Sequence, residues 1–107
     1  MKLSVGIITY NEEQIIARTI DSVKNIADEI VIIDSNSTDK TVEIAKLKGA
    51  KVITQSWLGY GKQKNFMIDN CSGEWILSID ADEIISEELA VEISEEIKKE
   101  NNTVEVY

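Results

Sequence analysis

The sequence predicts an α/β domain, doubly wound, with a mainly parallel sheet and helices on both faces. Two observations point there. Short apolar or β-branched runs alternate with helix-like segments at intervals of about 25 residues, the signature of βαβ units. Each apolar run ends in polar residues, and in such sheets ligands bind beyond the carboxyl ends of the strands. At 107 residues the chain can build one core but not two.

The elements follow in order. Leu3 to Thr9 reads as the first strand, and Asn11 with Gln14 offers a capping-box-like start for a helix carrying Ile16, Ile20 and Val23. Ile30 to Ile33 is a wholly apolar run suited to a strand covered on both faces. Ser35 to Asp39 is a polar turn before a helix with Val42 and Ala45, and Gly49 stands where a helix ends. Val52 to Thr54 is the third strand. Gln55 to Gly61, with Trp57 and Tyr60, reads as a loop before a short helix around Gln63 to Asn70, and packing of the two aromatics against the loop is the expectation. Trp75 to Ile79 is the fourth strand. Ser86 caps a helix on which Leu89, Ile93 and Ile97 lie four apart. Thr103 to Tyr107 alternates as a strand with one apolar face and no evident partner, so either a second copy supplies one, giving a homodimer, or the tail frays.

Composition narrows the chemistry. Hydrophobic residues make up 43% and charged residues 29%, a globular balance. No apolar run approaches the ~20 residues of a membrane helix and no signal-peptide pattern opens the chain, so a cytoplasmic protein is expected. Cys71 is the only cysteine, which excludes an internal disulfide and a thiolate zinc site and suggests a small buried apolar residue. Histidine is absent, so any metal must be held by oxygen. A net charge of −9 argues against nucleic acid as a partner. Residues 80–107 hold 10 of the 20 acidic side chains but 2 of the 11 basic ones. Most of that acidity suits a solvated helix face.

Asp80 and Asp82 stand apart, because they follow a strand. Two carboxylates one residue apart at a sheet's ligand edge can hold Mg²⁺ or Mn²⁺, which takes carboxylate, water and phosphate oxygens, and the ion reverses the local charge so that a diphosphate can bind. The plainer reading, a turn or helix cap, is common for such a triplet. An EF-hand does not fit, since its glycine and bidentate glutamate positions fall on Ile85 and Val91. Asp34 ends another strand and can accept hydrogen bonds from a base or ribose, or cap the next helix. Lys62 and Lys64 can meet anionic groups of a nucleotide or merely solvate a helix.

Four blocks carry a family resemblance: Thr9-Tyr10-Asn11-Glu12, Val31 to Asp39, Gly61-Lys62-Gln63-Lys64-Asn65, and Ser78-Ile79-Asp80-Ala81-Asp82-Glu83. In order and spacing the chain resembles family 2 glycosyltransferases of the GT-A fold, a Rossmann-like architecture, and the last two blocks are similar to a subgroup acting on the lipopolysaccharide core. The resemblance implies that residues 1–107 are the nucleotide-sugar-binding half of such a domain. It implies that Thr9 and Asn11 border the nucleotide, that Asp34 contacts base or ribose, that Asp80 contacts the ribose and that Asp82 holds the metal bridging the diphosphate. Lys64 takes a place often held by arginine, keeping the charge without the planar fork. The implied reaction is inverting transfer from a nucleoside diphosphate sugar in cell-envelope synthesis. The complete enzyme would then work in the cytoplasm, with room for peripheral association at the inner face of the membrane.

Family members continue past the point matching Tyr107 into an acceptor-binding part with an acidic catalytic base. The fold is accordingly expected to be truncated and the chain inactive alone. The main rival is a receiver-like signalling domain with an acidic metal site. It would want acidic residues directly after the first strand, where Thr9-Tyr10-Asn11 stands, and a fifth βα unit. A nucleotidyltransferase would want a glycine-rich basic loop there, and a dinucleotide-binding domain a G-x-G-x-x-G.

Overall fold

The computed structural model describes residues 2–99 and 105–106. β-Branched and apolar residues form four strands, β1 (Leu3–Thr9), β2 (Glu29–Asp34), β3 (Lys51–Thr54) and β4 (Trp75–Asp80), and Glu105–Val106 forms a short β5. Between them lie α1 (Ile16–Val23), α2 (Thr41–Leu47), α3 (Tyr60–Asp69) and α4 (Glu87–Lys99). The sheet order is β3-β2-β1-β4-β5 and every pairing is parallel. The doubly wound α/β reading is therefore what the chain adopts.

Pleating sends successive residues of a strand to opposite faces. One face buries Leu3, Val5, Ile7 and Ile32 against Ile16, Ile20 and Val23 of α1, Ala45 of α2, and Ile93 and Ile97 of α4. The other face joins Val31 and Ile33 to Met67 of α3. Three helices thus cover one side and α3 the other. Gly6 explains how α3 comes so close: a Cβ at this position would lie 1.9 Å from the Met67 sulfur. Gly49 ends α2 at φ 87°, as expected of a helix-terminating glycine. At α4, Ser86 Oγ accepts from Leu89 N at 3.1 Å, the expected cap.

Two expectations about element ends change. Asn11 and Gln14 do not cap α1, whose N-cap is Ile15 with no side-chain bond. Asn11 instead takes φ 53° and spends its side chain on the opposite loop, whose free N–H groups compete for it. The terminal strand finds its partner within the chain, as Glu105 and Val106 pair with Trp75 and Ile76. Thr103, Val104 and Tyr107 lie outside the described residues. Cys71 is half-buried and free. Burial, with a smaller push from Glu29, raises its thiol to about 11, so it is inert at neutral pH.

Candidate nucleotide-binding site

Parallel register sets Thr9 beside Asp34 and Ile8 beside Asp80, so β1, β2 and β4 end along one edge. Asp34 and Thr9 are both buried there. Asp34 Oδ1 accepts from Thr9 Oγ1 at 2.7 Å and from Ser37 Oγ at 2.6 Å, while Oδ2 accepts from Ser37 N at 2.8 Å. Asp34 therefore organises the turn after β2, seven residues before α2 begins, instead of capping that helix. The network continues outward. Ser37 Oγ accepts from Asn11 N at 2.8 Å, and Asn11 Oδ1 accepts from Thr38 N at 2.8 Å and Asp39 N at 3.3 Å. Among the described residues Asn11 and Asn36 are the non-glycine positions with positive φ, at 53° and 60°, in the loops after β1 and β2. Left-handed backbone costs energy at non-glycine positions and gathers where neighbours over-determine it, often at functional sites. The side-chain nitrogen of Asn11 donates to none of the described residues, which leaves it for a ligand.

Sequence reasoning gave Gln63 no role. It is fully buried at the start of α3, where Oε1 accepts from Leu58 N at 3.1 Å and Nε2 donates to Ser35 Oγ at 3.0 Å and Gln55 O at 3.1 Å. One amide thus fastens the loops after β2 and β3 to α3. The available signal was its place between Lys62 and Lys64 on a helix whose outward residues are polar. Lys64, the next residue of α3, is half-buried and makes no ion pair among the described residues.

The acidic triplet alternates exposed, buried, exposed over Asp80, Ala81 and Asp82. Thr19 of α1 donates to the Ala81 carbonyl, and Glu83 Oε1 accepts from Asp80 N at 2.7 Å, so the turn is held from both sides. Glu12, in the loop after β1, has its carboxyl raised above the usual 4.5, first by burial and then by repulsion from Asp82 and Asp39. Negative charge from three loops converges here, an environment that a cation would relieve. Among the described residues no three His, Cys, Asp or Glu side chains stand grouped to hold a metal by themselves. An oxygen-seeking divalent ion fits such a site only if phosphate and water complete its shell. Asp39 shows the opposite trend: burial raises its carboxyl, but hydrogen bonds from Thr41 and Glu13 outweigh that and hold it low.

Trp57 and Tyr60 do not pack their loop down, contrary to expectation; both are exposed. The loop's interior is already filled by Gln63, which leaves the rings outside. Tyr10, Ser35 and Trp57 line a cleft of about 380 Å³.

A family model for glycosyl transferase family 2 matches residues 4–107, and the chain belongs to that family. Membership removes the receiver-like alternative. Among its relatives, an uncharacterized glycosyltransferase of Rickettsia typhi is 58% identical over 92 residues, covering 86% of this chain and 32% of that protein. The lipopolysaccharide core biosynthesis glycosyltransferase LpsC of Rhizobium meliloti is 37% identical over 94 residues, covering 83% of this chain and 34% of LpsC. The chain thus spans about a third of the length of the curated relatives it matches. Among solved structures, glucosyl-3-phosphoglycerate synthase of Mycobacterium tuberculosis superposes with a TM-score of 0.69 at 30% identity, over 78% of this chain and 35% of that one. The same enzyme in complex with Mn²⁺, UDP and glucosyl-3-phosphoglycerate gives a TM-score of 0.67 at 29% identity, over 75% of this chain and 33% of that one.

Proposed function

We propose that this chain is the donor-binding half of an inverting glycosyltransferase and that it holds a nucleoside diphosphate sugar through a divalent cation. The observation that carries the reading is that Asp80 and Asp82 follow β4 on the same sheet edge as the bonded Thr9–Asp34–Ser37–Asn11 network. Support comes from the mycobacterial synthase, which binds Mn²⁺ together with UDP or UDP-glucose. Asp82 would hold the ion, with the diphosphate and water supplying its other oxygens, and Asp80 would contact the ribose. Asp34 has one acceptor site unspent on Oδ2 and would offer it to the nucleoside while fixing Thr9 and Ser37. Asn11 would border the nucleotide through its free amide, and Lys64 would add positive charge near the phosphates. When bound, Mg²⁺ or Mn²⁺ neutralises charge on the leaving nucleoside diphosphate. These residues bind and orient the donor. We assign acceptor recognition and the catalytic base to the part of the relatives' length that this match leaves uncovered. The kinship with LpsC favours a cell-envelope or lipopolysaccharide acceptor, met at the inner face of the membrane; no helix among the described residues is long and apolar enough to cross one.

Asp82→Ala tests the reading. Calorimetry should show that Mn²⁺ strengthens UDP binding to the parent and not to the variant. Equal Mn²⁺ enhancement in both would remove Asp82 from the metal site. Asp80→Ala should weaken UDP by about 1–3 kcal/mol while leaving the Mn²⁺ enhancement in place.

A further inference from the structure

The loop after β3 is braced on both sides of a residue that is itself left out. Ser56 Oγ accepts from Asn36 Nδ2 at 3.2 Å and Leu58 N donates to buried Gln63 at 3.1 Å, whereas Trp57 between them is 57% exposed. Tyr10, which lines the same cleft, is 56% exposed, and Ser35 is the third residue of the lining. Leaving a large aromatic surface in water costs free energy, and here the backbone holds that ring in place instead of letting it fold inward. Two exposed aromatic side chains lining one cleft at the ligand edge of a parallel sheet suit a flat π-system as its occupant. Ser35 Oγ already accepts from Gln63 Nε2 at 3.0 Å and donates to none of the described residues, so its proton remains for an acceptor in the cleft.

We propose that Trp57 is a base-clamping residue: with Tyr10 opposite, it closes on the nucleobase of the donor, and the Ser35 hydroxyl donates to a carbonyl oxygen of that base. The inference rests on the donor-binding reading above and adds specificity to it. Uracil, cytosine and guanine carry such a carbonyl, while adenine carries none.

The two tryptophans make the test direct, because Trp75 is fully buried in the core and Trp57 is the accessible one. UDP with Mn²⁺ should quench the emission of the parent and shield it from acrylamide, and both effects should vanish in Trp57→Phe although calorimetry still detects UDP binding. Trp57→Ala should weaken UDP at least about fivefold, the lower end for loss of a base–aromatic stack, with Trp57→Phe recovering most of the loss. The Mn²⁺ enhancement factor should be the same in all three. ADP should bind the parent more weakly than UDP, and Ser35→Ala should narrow that gap. If the parent binds UDP in a Mn²⁺-dependent way and Trp57→Ala binds it as tightly, the clamp is overturned and the donor-binding reading stands. ADP binding as tightly as UDP would overturn the Ser35 contact. If no nucleoside diphosphate binds the parent with Mn²⁺, the donor-binding reading fails and the clamp with it.

Discussion

Asp34 accepts three hydrogen bonds while buried, so its removal strands a hydroxyl of Thr9 and the amide and hydroxyl of Ser37. Asp34→Ala should cost about 1–3 kcal/mol in urea unfolding and a similar amount in nucleoside monophosphate binding; a loss of stability with unchanged affinity would confine Asp34 to architecture. Glu12 makes the opposite kind of prediction. Its raised carboxyl favours the proton in the folded state, so the folded chain loses stability as pH rises from the unfolded value near 4.5 through the folded one. Glu12→Gln should therefore stabilise the cation-free chain at neutral pH, with the gain fading below pH 4.5, which thermal unfolding at the two ends would check. Strand-end polar residues such as Asp34, Asn11 and Asp80 were legible, because the apolar runs marked where each strand stops. Gln63 was not, since its three partners lie in two loops outside its own helix and a helical glutamine carries no local mark. Trp57 was read as packed because a large ring is ordinarily buried; only the position of Gln63 beneath the loop explains why it is not.

The strands were legible almost to the residue, since wholly apolar runs such as Ile30 to Ile33 have few other uses in a soluble fold. Helix starts were less so. The end of α1 is decided by a loop 27 residues away, and no local pattern reports that. At the sheet, Gly6→Ala forces a methyl group into the Met67 sulfur, with overpacking expected to cost about 1–3 kcal/mol in urea unfolding. Shortening Met67 in the same chain should recover part of it. At the amino end of β2, burial raises the Glu29 carboxyl, but hydrogen bonds from Ser4 and from the amide and hydroxyl of Ser72, with Lys2 nearby, hold it below the usual 4.5. A lowered carboxyl contributes stability above its unfolded value and loses it as pH falls through the folded one. Glu29→Gln should then flatten the acid limb of the stability curve below pH 4.5, and an unchanged limb would mean these bonds persist in the unfolded reference.

At the scale of the molecule, the chain spans about a third of the length of the curated relatives it matches. β5 fills the neighbouring place beside Trp75 and Ile76, which weakens the case for a second copy as strand donor. Sedimentation of the chain at high micromolar concentration should show a monomer, and shortening it to Asn101 should leave that mass class unchanged. The central claim is that the metal and the nucleotide complete one another's site, because the protein alone groups too few carboxylates among the described residues. Linkage requires each ligand to raise the other's affinity by the same factor. The direct measurement is paired calorimetry on the parent chain: UDP titrated with and without Mn²⁺, and Mn²⁺ titrated with and without UDP. Weak binding of either alone and an equal, reciprocal gain of at least about tenfold together is the predicted result. UDP binding as tightly in the presence of a chelator as with Mn²⁺ would contradict it.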